Sequence, residues 1–298
     1  MITEGVFSAI VTPFTGKNAE EVNVSALKSV VEVGVKSGLD GFVASGGTGE
    51  FATLTVEERR LVVETVCEAS AGRASVIAQV GGTSTAEAVG HARHAEKVGA
   101  NAIMLATPFY ESVTFDQIRA YYHSVAEATS LPICIYNFPP AMGDHWNVEN
   151  ISSLMAVIPT VQFIKDSSGD YAFLNALRAS ESQFGVFCGE DILAGPAFLQ
   201  GTGIIVGATN FCAPGLVKMY KSARAGQLDD FSETWKGLLP LILAVIGGHY
   251  NGGVKAACRA LGLDVGPIRA PYNDLAADRI ELINKTIAAT DESLLNWA

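Results

Sequence analysis

The stretch VQFIKDSSGD, residues 161–170, places a lysine where a buried side chain is expected. Val161, Phe163 and Ile164 read as an apolar strand, and Lys165 follows at its end. Lysine is almost never fully buried unless something compensates it. A solvated lysine has a pKa of about 10.4, so at neutral pH it is an ammonium and no nucleophile. Desolvation disfavours the charged form, and a free amine in an apolar site attacks carbonyls to form a Schiff base. The competing reading is a lysine that runs outward from the strand end to pair with Asp166 or Asp170. Tyr136, in PICIYNFP from Pro132, stands one strand away at a similar height. Its phenol can move the protons that Schiff-base chemistry requires. Taken alone, such a tyrosine is more often a core residue with its hydroxyl satisfied.

Other strand ends carry polar groups: GGTGE at 46–50, TPFY at 107–110 and CGED at 188–191. GGTGE follows a strand and precedes a helix, so its backbone amides can hold an anion. It is not a dinucleotide fingerprint. Ala52 replaces the third glycine, and the third strand, VIAQV, ends without an acid. A small carboxylate suits the loop better than a pyrophosphate, although a plain tight turn would use the same glycines. His91 and His94 in GHARHAE share a helix with Glu87 and Glu96. No cluster of strand-end carboxylates accompanies them, so they read as a solvated face and not a metal site. No Ser-His-Asp order or GxSxG elbow is present.

The elements that must position these groups are visible as alternation. Short apolar, β-branched runs begin at Val6, Asp40, Ser75, Ala102, Pro132, Gln162, Phe184 and Ile204. Each is nearly apolar throughout, as parallel strands covered on both faces are. The intervening segments have helical spacing. Thr55 with Glu58, Ser84 with Glu87 and Thr114 with Gln117 fit capping boxes. Glycines in SGLDGF, VGANAI and GTGII stop helices before the next strand. Eight such units predict an α/β fold, a (β/α)8 TIM barrel over residues 1–225, with a C-terminal helical extension over 226–298. A doubly wound sheet is the competing fold, which periodicity does not distinguish. In a barrel, the site lies at the C-terminal ends of the strands.

Composition narrows the partners. The 20 basic and 31 acidic residues give a net charge of −11, which disfavours nucleic acid and anionic membrane. Five cysteines without a CxxC pair point to reduced thiols in a cytoplasmic protein. The start, MITEGVFSAI, lacks the pattern of a signal peptide. The longest apolar run, Leu238 to Ile246, contains Pro240 and falls short of the ~20 residues of a membrane span.

GGTGE, TPFY, YNFP, IKDSSGD and GED, in this order and spacing, resemble the dihydrodipicolinate synthase and N-acetylneuraminate lyase family. The resemblance runs from about Ala9 to Leu263. It implies a TIM barrel with a helical extension, assembled as a homotetramer, a dimer of dimers. It implies class I chemistry on pyruvate or another 2-oxo acid, without metal and with no cofactor beyond a covalent Schiff base on Lys165. Tyr136 matches the general acid and base, and Tyr110 matches a relay tyrosine supplied by the neighbouring subunit. Thr48, beside Gly47 in the glycine loop, matches a residue that holds the pyruvate carboxylate, and Ile205 matches a pyruvate contact. Ser167, Gly189 and Asp191 match positions that contact sugar hydroxyls in the neuraminate lyases.

Two departures stand out. Gly47 occupies the place of a relay threonine in the synthase. Ala141 occupies the place of an arginine that grips the second substrate's carboxylate, a bidentate contact alanine cannot make. The resemblance therefore implies a lyase for aldol cleavage, aldol condensation or dehydration of a 2-keto-3-deoxy sugar acid or related 2-oxo acid. Dihydrodipicolinate synthase, condensing pyruvate with aspartate semialdehyde, is the alternative within the family. A non-catalytic 2-oxo-acid binding protein is the alternative of another class. Substrate choice is expected in loops 141–147 and 167–171.

Overall fold

Eight parallel strands, each hydrogen-bonded to the next and the last to the first, close a barrel in chain order. They are β1 (Val6–Ala9), β2 (Gly41–Ala44), β3 (Ser75–Gln79), β4 (Ala102–Ala106), β5 (Ile133–Asn137), β6 (Val161–Asp166), β7 (Gly185–Cys188) and β8 (Gly203–Val206). The computed structural model describes residues 2, 4–143, 146–180 and 184–297. Closure rules out the doubly wound sheet. Alternate side chains along each strand face inward or outward. Phe7, Val43, Ile77, Met104, Phe163, Phe187 and Ile205 pack together in one inner cluster. Their neighbours, such as Val6, Phe42, Ile103, Ile164 and Ile204, pack outward against the helices.

The helices of the barrel are α1 (Val24–Lys36), α2 (Val56–Ser70), α3 (Thr85–Lys97), α4 (Phe115–Ala126), the short α5 (Pro139–Met142), α6 (Val148–Val157), α7 (Tyr171–Ala179), α8 (Ala194–Leu199) and α9 (Thr209–Arg224). Three more follow: α10 (Leu228–Ile246), α11 (Tyr250–Ala260) and α12 (Ala277–Ala289). Among the described residues, no helix is long and apolar enough to cross a membrane. All five cysteines are free thiols.

Thr55 and Thr114 form reciprocal capping boxes with Glu58 and Gln117. The third expected box is half-formed. Ser84 caps the Glu87 amide, but the Glu87 carboxylate turns to the buried guanidinium of Arg59 at 3.0 Å. A buried charge needs a partner more than an exposed amide does. Gly38, Gly99 and Gly201 sit at φ of +84°, +84° and +72°, where a side chain is strained, and each ends a helix.

One expectation fails in α3. His91 is not on a solvated face. It is buried, and burial together with the Arg59 and Arg60 charges pushes its imidazole down to about 3, so it is a neutral core residue. His94 bonds Glu64 across to α2 at 2.8 Å.

Candidate active site

Adjacent strands β5 and β6 set Tyr136 beside Lys165 and Asn137 beside Asp166 in register. The first pair faces the barrel mouth and the second faces away, because side chains alternate. Asp166 is thereby occupied. It accepts from Asn137 Nδ2 at 2.7 Å and from the Ser168 hydroxyl at 3.0 Å. Lys165 is 6% exposed and forms no ion pair with Asp166 or Asp170 among the described residues. The outward-running reading is therefore not realised. The Lys165 Nζ instead lies 4.6 Å above the centre of the Tyr136 ring. That ring stacks on Phe138, with centroids 6.0 Å apart and planes 9° from parallel.

The glycine loop after β2 faces this pair across a cavity of about 450 Å3. The loop turns on itself, with the Glu50 and Phe51 amides donating to the carbonyls of Gly47 and Gly46. The amides of Gly47 and Thr48 find no acceptor among the described residues, and both residues line the cavity. Free amides on a glycine turn make an anion cradle.

Distant parts of the chain hold the loop. Thr12 Oγ1 donates to the Gly49 carbonyl at 2.7 Å, and Asn251 Nδ2 donates to the Gly47 carbonyl at 3.0 Å. Glu50, in a left-handed conformation, lies fully buried 2.6 Å from Lys255 of α11 and accepts from the Arg269 amide at 3.0 Å.

β7 closes the third side. The Gly189 amide donates to the Asp166 carbonyl at 2.7 Å. A methyl at Gly189 would strike the Ser167 hydroxyl and lie 2.8 Å from Lys165 Cε. The buried Ser167 hydroxyl has no hydrogen-bond partner among the described residues, and Ser167 lines the cavity. Glu190 also lines the cavity, and burial pushes its carboxyl up to about 7; Asp191 and Asp166 add to this, and Lys165 opposes it.

Seven expected residues thus share one cavity: Lys165, Tyr136, Gly47, Thr48, Ser167, Gly189 and Ile205. Two do not reach it. Asp191 is buried behind the wall, accepting from the Ala208 amide and the Tyr250 hydroxyl, each at 2.7 Å. Both of its oxygens are engaged by the protein, and burial raises its carboxyl. Tyr110 points away, 94% exposed, with φ of +87°. Within loop 141–147, residues 144 and 145 lie outside the described ones.

Sequence reasoning missed Phe138, Glu190 and a group from the C-terminal extension: His249, Tyr250, Asn251 and Tyr272. The signal for His249, Tyr250 and Asn251 was GGHYNGG, three polar residues between glycine pairs where two helices meet. Among the described residues, no group of three or more His, Cys, Asp or Glu side chains could hold a metal ion.

Comparison with known proteins places almost the whole chain in one family. A family model described as the dihydrodipicolinate synthetase family matches residues 2–290. The 4-hydroxy-tetrahydrodipicolinate synthase of Methanospirillum hungatei is 30% identical over 97% of this chain and 99% of its own length. That of Bacillus subtilis is 30% identical over 95% of this chain and 98% of its own. The crystal structure of dihydrodipicolinate synthase from Aquifex aeolicus superposes with a TM-score of 0.90 at 28% identity, covering 96% of this chain and 97% of that one. A barrel closed in chain order, a lysine and a tyrosine paired at its mouth and a match over almost the whole length agree: the chain belongs to the dihydrodipicolinate synthetase family.

Proposed function

We propose that this protein is a class I lyase that binds a 2-oxo acid as a Schiff base on Lys165. The observation that carries the reading is the buried Lys165 amine, 4.6 Å over the Tyr136 ring and, among the described residues, in no ion pair with a carboxylate, inside a cavity of about 450 Å3. The amine attacks the C2 carbonyl, and water leaves to give an iminium. The free amides of Gly47 and Thr48 receive the C1 carboxylate, while Ile205 walls the methyl side. Tyr136 moves protons on and off the carbinolamine and the substrate. The iminium then takes up the electron pair of the C3–C4 bond, releasing an aldehyde, or of the C3–H bond, after which the C4 hydroxyl leaves as water.

A 2-keto-3-deoxy sugar acid or a related 2-oxo acid suits the site, with pyruvate as product or donor. The cavity wall carries no arginine among its described residues, and Ala141 is exposed. Arg269, beside the loop, is committed to Glu58 at 2.7 and 2.8 Å. The second reading is 4-hydroxy-tetrahydrodipicolinate synthase, favoured by the names of relatives 30% identical over nearly the full length. We place the protein in the cytoplasm as a tetramer in which the neighbouring subunit supplies Tyr110.

Borohydride reduction in the presence of pyruvate tests the mechanism. The expected result is one adduct, mapped to Lys165 by mass spectrometry. An unmodified chain excludes the Schiff-base reading and leaves a binding protein, and an adduct on another lysine excludes Lys165 as its site. Turnover of pyruvate with aspartate semialdehyde, against cleavage or dehydration of 2-keto-3-deoxy sugar acids, separates the two enzymatic readings.

A further inference from the structure

We propose that Glu190 is the specificity residue of this site: its carboxyl group takes a neutral, hydroxyl-bearing tail on the 2-oxo acid and turns away a tail that ends in a second carboxylate. The inference rests on the Schiff-base reading above, which fixes where C1 and C2 of the ligand lie. β7 runs beside the lysine strand, with Phe187 opposite Lys165 and Cys188 opposite Asp166. Gly189 has no side chain, so the chain passes within contact of Lys165 Cε. The next residue, Glu190, is thereby set at the cavity wall next to the amine.

Two acids line this cavity, and they differ in state. Glu50 is locked to Lys255 at 2.6 Å. The Glu190 carboxylate makes no hydrogen bond or ion pair among the described residues, so its oxygens are open to a ligand. Asp191, which the family resemblance nominates for sugar contacts, has both oxygens taken inside the wall. The iminium keeps one positive charge, which the adjacent C1 carboxylate balances; with no arginine on the described wall, a second carboxylate meets the like charge of Glu190 without a counter-ion. A hydroxyl instead donates to Glu190 without penalty. This is selection by repulsion as well as attraction.

The groups facing Glu190 are Lys165 and Asp166 of β6, Asp191 of its own turn and Tyr250 of α11. Burial holds the carboxyl at about 7, so both of its forms are populated near neutrality. Only the ionised form repels a second carboxylate. Discrimination therefore rises with pH.

The test uses two 2-oxo acids of matched length, 5-hydroxy-2-oxopentanoate and 2-oxoglutarate, with pyruvate as the tail-less reference. Half-saturating concentrations for borohydride trapping on Lys165 are compared in wild type and Glu190→Gln. At about pH 8, wild type is expected to favour the hydroxyl tail by about tenfold or more, with the preference shrinking toward unity at about pH 5.5. Glu190→Gln is expected to show a small preference that does not change with pH. A wild-type preference independent of pH overturns the proposal and needs no variant to observe. So does a preference of wild-type size and pH dependence in Glu190→Gln, or trapping of pyruvate with neither tailed acid. Absence of any pyruvate adduct sinks the Schiff-base reading instead, so the two failures are distinct.

Discussion

Gly189 sets how close the end of β7 comes to the lysine. Gly189→Ala is expected to lower kcat by roughly 10–100-fold, because the methyl must displace Lys165 or Ser167 and a misplacement of about 1 Å is enough. Its effect on stability should stay within the roughly 1–3 kcal/mol of an overpacked site. Steady-state kinetics beside urea unfolding checks this, and a variant with wild-type kcat would show that the glycine is only a turn residue. Glu190 makes a prediction of a different kind. Its folded-state value of about 7 lies above the ordinary 4.5, so the unfolded chain ionises first. Stability on its account falls as pH rises from about 4.5 to about 7, and is level above that. Glu190→Gln removes the ionisation and should gain on wild type across that window, by on the order of 1 kcal/mol after allowing for solvent screening. A stability difference that does not vary with pH would contradict the assignment. Lys165 and Tyr136 were legible in the sequence because each sits at the end of an apolar run. Glu190 was not, because CGED offers two acids and the sequence does not say which one the wall hides.

At the scale of elements, the glycine loop depends on α11 and the segment after it. Glu50 and Lys255 are both fully buried and 2.6 Å apart. Lys255 also donates to the Pro267 carbonyl at 2.9 Å and sits over the Phe14 ring. Breaking such a pair leaves an uncompensated buried charge. Lys255→Met is expected to destabilise by about 3–5 kcal/mol and to raise KM for the 2-oxo acid more than it lowers kcat, since the loop carries the proposed carboxylate cradle. Glu50→Gln with Lys255→Met should regain much of the stability, because neither charge then remains. Denaturant titration of the single and double variants measures both effects, and equal losses in the two would argue against a coupled pair. The strands, most caps and the glycine stops were readable because they are local patterns. The loop-to-extension clasp joins segments far apart in sequence, and no local pattern announces it. The sequence division at residue 225 separates barrel from extension, yet the cavity is lined from both sides of it.

At the scale of the whole molecule, Tyr110 is the unplaced residue. It is 94% exposed and held at φ of +87°, a conformation strained for a tyrosine. If it serves a neighbouring subunit, inactive Lys165→Ala and impaired Tyr110→Phe chains should complement each other. In a mixed pair, one site keeps its own Lys165 and receives an intact Tyr110. Mixing and reassembling the two variants is expected to restore up to about half of wild-type activity per mixed pair, since one site in two is complete. No gain on mixing would mean that Tyr110 acts within its own chain or not at all. Gly47 bears on the same proposed relay. The space where its Cβ would stand is open, so Gly47→Thr should fold with a stability change within about 1 kcal/mol and tests whether a hydroxyl there raises kcat.

The sequence alone determined eight alternating strand and helix units and singled out Lys165 and Tyr136 at strand ends. These follow from hydrophobic periodicity and from a charge in apolar company, both local properties. Only the tertiary structure decided which polar groups meet. Closing the barrel brings residues 50, 190 and 250 to one mouth, and a hydroxyl from α11 ties up Asp191 while Glu190 stays free. Whether a carboxylate is sequestered or available depends on what packs against it, and that is a property of contacts between distant segments and not of any short stretch of chain.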